Sequence, residues 1–81
     1  MSSMRTGRGF RHTYKNVRLF VDEEVEGWVS AAYSIAEHRW IDKDSFIYND
    51  LEEAKKSSVA IAEMFLGETL PEFDWEAYGS S

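Results

Sequence analysis

The stretch TYKNVRLFVDEEVEGWVSAAYSIAEHRW, residues 13–40, sets the architecture. Successive side chains of a strand point to opposite faces, so Val17, Leu19 and Val21 share one side while Tyr14, Asn16, Arg18 and Phe20 share the other. That is a half-buried strand with an apolar face. The charged run EEVEG then ends on Gly27, the composition of a hairpin turn. From Trp28 a second strand is expected, with Val29, Ala31, Tyr33 and Ile35 on one face and Trp28, Ser30, Ala32 and Ser34 on the other. Its alanines, and AAYSIAEHRW by itself, also fit a helix. The β-branched and aromatic residues keep the period of two, which favours the strand. IDKD next reads as a turn and SFIYN as a short third strand.

Beyond that stretch, residues 51–66 carry the pattern of an amphipathic helix. Asp50 stands three residues before Glu53, the spacing at which each can satisfy a backbone N–H at a helix start. Glu52 and Glu53 lie at the favourable end of the helix dipole. At 100° per residue Leu51, Ala54, Ser58, Val59, Ile61, Ala62, Phe65 and Leu66 fill an arc of about 160°. Lys55 intrudes on that arc and can snorkel. Gly67 supplies a left-handed stop.

The tail, LPEFDWEAYGSS, sets Phe73, Trp75 and Tyr78 among Glu72, Asp74 and Glu76. Aromatic side chains there imply burial, against the chain's own body or against a partner. Thr69, Pro71 and Glu72 repeat the helix-start signals and Gly79 repeats the stop, so a short second helix from about Leu70 to Tyr78 is one reading. An extended acidic-aromatic peptide is the other. The expected fold class is α+β: a three-stranded antiparallel β-sheet packed on one long amphipathic α-helix, with that short C-terminal helix as an option. The expected divisions are a flexible basic N-terminal arm (1–12), a βββα domain (13–67) and an acidic-aromatic tail or short helix (68–81). Met1 and Met4 leave open which methionine starts the native chain.

Eighty-one residues make one domain with a modest core. There is no cysteine, so disulfide and thiolate chemistry are excluded. No apolar run approaches the roughly 18 residues of a membrane span. Arg5 and Arg8 are not followed by the apolar stretch of a secretory signal. A cytoplasmic, non-membrane protein is the expectation. Charge is segregated: Arg5, Arg8, Arg11, Lys15 and Arg18 precede any acidic residue, and from Asp22 onward only Arg39, Lys43, Lys55 and Lys56 oppose the carboxylates. The net charge of −6 disfavours a dedicated nucleic-acid binder, because phosphate neutralisation supplies most of such affinity.

Catalytic signatures are missing. His12 and His38 are the only histidines; Glu37 and His38, as strand neighbours, would face opposite sides and could not chelate one metal. The serines at 30, 34, 45, 57 and 58 lie in no nucleophile elbow. Asp42 and Asp44 pair in a turn, with no chain left to wall a substrate cleft. Gly7 and Gly9 lack the preceding strand and the GK[ST] ending of a phosphate loop. The expectation is a protein without catalytic residues, metal or cofactor.

One helix covers one face of a three-stranded sheet and leaves the other. That second face is expected to carry Tyr14, Phe20, Trp28, Phe46 and Tyr48, with Arg18 and Ser30 among them. Apolar patches of this kind mark interaction surfaces. The tail's Phe73 and Trp75 could cover it, a second copy could stack on it with two-fold symmetry, or single-stranded RNA could stack bases on it. The candidate interaction residues are therefore Phe20, Trp28, Phe46, Tyr48, Phe73 and Trp75. A self-associating protein-interaction domain ranks first, because a homodimer resolves both the small core and the exposed face. Another protein partner ranks second and RNA third.

The runs YKNVRLFVDEEVEGWVSA and NDLEEAKKSSVAIAEMFL resemble the small strand-strand-strand-helix domain of HicB-type antitoxins over about two-thirds of the chain. A glycine-aromatic pair opens the second strand there too, and LEEA opens a helix. The proline- and glycine-rich segment that typically follows that second strand is lacking here. The resemblance implies an antitoxin-like or regulatory binder that inhibits a basic, nucleic-acid-acting partner, its tail occluding the partner's active site.

Overall fold

Residues 5–43 and 46–79 are described by a computed structural model of the chain, in which one helix lies on one face of a five-stranded antiparallel sheet. The strands are β1 (Arg5–Tyr14), β2 (Val17–Glu24), β3 (Gly27–Ser34), β4 (Arg39–Lys43) and β5 (Glu76–Tyr78); α1 (Leu51–Leu66) falls between β4 and β5. Their order in the sheet is β4-β3-β2-β1-β5. The α+β class holds, and the strand count rises from three to five.

Each difference from the sequence expectation has an identifiable cause. The segment expected as a basic arm forms β1 from Arg5 onward; residues 1–4 of that arm lie outside the described residues. β1 turns into β2 through Lys15 and Asn16, with Tyr14 opposite Val17, and Lys15 takes the positive φ (55°) that two-residue hairpins favour. Tyr14 is therefore across a turn from Val17, not two strand positions beyond Asn16. The long second strand is cut at Ser34. There the Ser34 hydroxyl accepts the Glu37 N–H (3.0 Å), and His38 takes φ 55°, so the chain reverses into β4. The third strand is thus Arg39–Lys43 rather than SFIYN. Of that stretch Tyr48 makes an isolated bridge to Trp28, while Ser45 lies outside the described residues. The tail forms no helix. After an irregular run, β5 pairs with Gly9, Phe10 and Arg11 of β1.

The assignment of faces along β3 also reverses. Directly opposed residues of neighbouring strands share a face, and the register sets Ser30 against Val21, Ala32 against Leu19, and Ser34 against Val17. The small residues, not Val29, Ala31 and Tyr33, therefore lie under the helix. Ala54, Ser58 and Ala62 of α1 are buried against them. Small side chains on both layers let helix and sheet approach closely, and Ser58 Oγ donates to the Ala31 carbonyl oxygen (2.9 Å). Ser57 Oγ is met by the hydroxyls of Ser30 (3.0 Å) and Tyr48 (3.1 Å). Each buried hydroxyl described in this seam has a partner, so its burial is not penalised as an unpaired polar group would be.

Asp50 and Gly67 mark the two helix ends, with Asp50 acting on Glu52 rather than on Glu53 as the spacing suggested. The Asp50 side chain accepts the Glu52 N–H (3.2 Å), and Gly67 at φ 74° sends its N–H to the Glu63 carbonyl (2.8 Å). Helix α1 packs on β3, β2 and β4. The β1 side of the same sheet face is closed by the tail: Leu70 is buried, and Phe73 and Trp75 pack against the cluster of Val17, Leu19, Ala32 and Ala62. Phe73 stacks on His12, ring centroids 3.7 Å apart and planes 4° apart. Lys15 and Glu68 clamp the start of the tail at 2.6 Å, and Glu63 accepts the Leu70 N–H at 2.9 Å. Phe73 and Trp75 thus finish the chain's own core.

Candidate interaction surface

The opposite face of the sheet has no helix or tail on it among the described residues. Its side chains follow from the register: Arg11 and Thr13 from β1, Arg18, Phe20 and Asp22 from β2, Val29, Ala31 and Tyr33 from β3, Trp40 from β4, and Glu76 and Tyr78 from β5. A bulge in β4 allows this arrangement. Trp40 stands opposite Tyr33 on the open face, while the next residue, Ile41, turns inward to the core.

An aromatic cluster runs from the central strand β2 to the edge strand β4. Trp40 lies 5.5 Å from Phe20 and 5.2 Å from Tyr33, ring centroid to ring centroid, at interplanar angles of 57° and 76°. Such tilted and edge-on contacts suit ring quadrupoles. Trp40 nonetheless remains 41% exposed. Toward β5, Tyr78 lies across Gly9, where any Cβ would run into its ring and into the Val21 carbonyl; here a glycine is required by close approach. Between these two groups lies a hollow of about 350 Å³, lined by Phe20, Trp40, Tyr78, Asp22 and Arg11 with the Arg8–Glu23 ion pair (2.5 Å) at its rim. Arg11 bonds Glu76 (3.3 Å) and stands 5.6 Å from the Tyr78 ring centroid. Arg18 donates to Thr13 Oγ1 (3.2 Å). Arg11 and Arg18 are thus set among Asp22 and Glu76, a mixed field rather than a basic strip.

Of the residues singled out from sequence, Phe20 alone lies in this cluster. Trp28 and Tyr48 belong to the helix side, where Trp28 lies 6.0 Å from Phe10 and Tyr48 bonds Ser57. Phe46 is 60% exposed and packs edge-on to Tyr48 at 4.7 Å, away from Phe20. Phe73 and Trp75, 5.1 Å apart, seal β1 on the helix side and so do not cover the open face. The expected patch therefore divides into three places. Sequence reasoning missed Trp40, Tyr33 and Tyr78. The period of two within RTGRGFRHTY and the Tyr33–Trp40 spacing across a turn were the available signals.

The titration shifts lie around the tail. Partial burial beneath Phe73 holds the His12 pKa below its ordinary value. The hydrogen bond between Lys15 and Glu68 raises the lysine and lowers the carboxyl, both at the solvent surface. Among the described residues no three His, Cys, Asp or Glu side chains gather as a metal site would need, and no helix is long and apolar enough to cross a membrane.

No protein-family model, curated protein or solved structure matches this chain. The resemblance to HicB-type antitoxins stands on its quoted residues alone, and the four strands that precede the helix here are one more than it implies.

Proposed function

We propose that this chain is a non-enzymatic protein-interaction domain that associates with a second copy of itself through the open sheet face. The observation that carries this is the Phe20–Tyr33–Trp40 cluster, which runs from the central strand to the β4 edge of a sheet face left open among the described residues, with Trp40 41% exposed. These rings lie across the sheet from the helix and the tail core. Stacking two such sheets about 10 Å apart would bury both clusters at once. Aromatic residues at the centre of a patch are the side chains that dominate interface energies. The tail takes part through Tyr78 and Glu76, which β5 adds to the face.

Mixed charge supports a protein surface over single-stranded RNA, since Asp22 and Glu76 stand beside Arg11 and Arg18. The test is molar mass by light scattering across a concentration series, for the wild-type chain and Trp40→Ala. A wild-type dimer that Trp40→Ala shifts toward monomer is the expected result. A wild-type monomer throughout the series would overturn the proposal.

A further inference from the structure

The tail meets the body in two parts that are held differently. Its root is fixed: Leu70 is buried, its N–H bonds Glu63 (2.9 Å), and Glu68 pairs with Lys15 (2.6 Å). From Pro71 to Gly79 no side chain is fully buried, and only Phe73, Trp75 and Tyr78 are half-buried. Strand β5 approaches β1 and no other strand or helix among the described residues. Between α1 and the tail lies a hollow of about 470 Å³, walled by Lys55, Val59 and Glu63 on one side and by Leu70, Phe73 and Trp75 on the other. Space for solvent thus separates this segment from the helix. Segments with few buried contacts are those that open while the rest of a fold stays closed.

We infer that residues 71–78 form a strap that seats and unseats as a unit, and that its seating controls association through the open face. This rests on the self-association proposed above and adds its regulation.

The coupling arises because alternate strap residues serve opposite faces of the sheet. Seated, the strap sets Glu76 and Tyr78 on the open face while Phe73 and Trp75 pack on the inner one. Arg11 takes both of its described partners from it: Glu76 at 3.3 Å, and the Tyr78 ring with its centroid at 5.6 Å. Tyr78 also lies over Gly9 and walls the hollow that it shares with Phe20 and Trp40. Unseated, the open face ends at β1. Arg11 has then lost its carboxylate, and one wall of that hollow is gone. A second copy would have to desolvate a guanidinium without its partner, which is costlier than covering a satisfied pair. The seated state is therefore the one that associates.

Linkage makes the effect reciprocal: whatever holds the strap down favours association, and association holds the strap down. Both copies must be seated, so the dependence is steep. A change that leaves the strap seated in about one molecule of ten would raise the dimer dissociation constant about a hundredfold.

The experiment compares two substitutions in the intact chain that leave every open-face side chain in place. Phe73→Ala removes the strap's stack on His12. Ile61→Ala removes core packing from the side of α1 turned away from the strap. Dissociation constants come from light scattering across a concentration series, with amide exchange followed at both ends of that series. Phe73→Ala is expected to raise the constant about tenfold or more, and Ile61→Ala by less than about twofold. In the wild type, with no substitution at all, exchange in β5 and at Gly9–Arg11 should slow as the dimer forms. Circular dichroism establishes that each variant is folded. A Phe73→Ala chain whose β5 exchanges faster yet dimerises as tightly as wild type would overturn the coupling and leave self-association standing. Equal weakening by both substitutions would also overturn it, as would β5 exchange in the wild type that dimer formation does not slow. A wild-type chain that never dimerises would remove self-association and its regulation together.

Discussion

Strand β2 serves two surfaces with alternate residues, and the two are built differently. Inward, Val17, Leu19 and Val21 are fully buried against a seam of serines and alanines. Outward, Arg18, Phe20 and Asp22 stand among aromatic rings and ion pairs. On the inner side large side chains from β2 fill space that Ser30, Ala32, Ser34, Ala54, Ser58 and Ala62 leave open, and the helix closes it. The outer side is assembled from large rings contributed by β2, β3, β4 and β5, with no layer over them among the described residues. Burial therefore stabilises the fold mainly through one face, and substitutions of similar size should have very different consequences on the two.

The strongest test of that asymmetry is Leu19→Ala. Leu19 is wholly buried between β1, β3 and the helix layer, and losing its side chain leaves a cavity as well as removing apolar contact. Chemical denaturation should show a loss of about 2–5 kcal/mol, a large share of what a chain this short holds. A loss below about 1 kcal/mol would mean that the site collapses and that the inner face is less tightly packed than described. Next in size is the converse change, Ala32→Leu. The added side chain would press against Ala62 and the helix backbone, at a cost of about 1–3 kcal/mol. Unchanged stability would mean that helix and sheet are not held at the distance the small residues permit.

How legible these faces were from sequence depends on how plainly each element advertises its period. The helix was readable because Asp50 and Gly67 mark its ends and Lys55 is the one charge that breaks into its arc of small and apolar residues. The inward triplet of β2 was readable for the same reason, as alternating β-branched and leucine side chains. β1 was hidden because its alternation is carried by Phe10, His12 and Tyr14 against Gly9, Arg11 and Thr13, where the charges imitate an exposed arm. β3 misled because Ser30, Ala32 and Ser34 are small and mostly polar. They are buried for want of bulk, which hydrophobicity alone does not reveal. β5 was missed because capping signals at Thr69, Pro71 and Glu72 are local, whereas pairing with Gly9, Phe10 and Arg11 at the far end of the chain is not. The open face depended on all of these parities, so of its ring cluster only Phe20 could be placed.

The inner face is itself closed in two ways, by α1 and by the tail, and the tail half should be the weaker. Phe73→Ala removes a half-buried ring and its stack on His12, and should cost about 1–2 kcal/mol while leaving the helix content intact. Amide exchange should then rise in β5 and its β1 partners before it rises in β2 or β3. Uniform acceleration throughout would mean that tail and helix layer open as one unit.

Acidification probes the same half more gently. Burial lowers the His12 pKa, so the unfolded chain binds its proton more readily. The neutral ring's contribution is therefore complete above the ordinary value of 6.5 and is lost as pH falls through the lowered folded value. Glu68 acts in a separate, lower window: the hydrogen bond from Lys15 depresses its carboxyl, so that contribution is present above the ordinary 4.5 and lost as pH falls through the lowered value. Between about pH 7.5 and 5.5 the melting temperature of the wild type should drop, and that of His12→Phe should drop less. Equal drops would assign the effect to another group.

The mildest change for the fold should be Trp40→Ala, and it separates the two faces most cleanly. Removing a tryptophan side chain from a buried site would cost about 3–5 kcal/mol. Trp40 touches Phe20 and Tyr33 only on the solvent side of the sheet and stays 41% exposed, so the folded monomer should lose no more than about 1 kcal/mol at concentrations below any association. If the substitution instead unfolds the monomer, the outer cluster is part of the core and the two faces are not different in kind. If stability is held while association is lost, the same ring that contributes little to holding the chain together is what a second copy needs. In that case Trp40 is kept for recognition rather than for the fold.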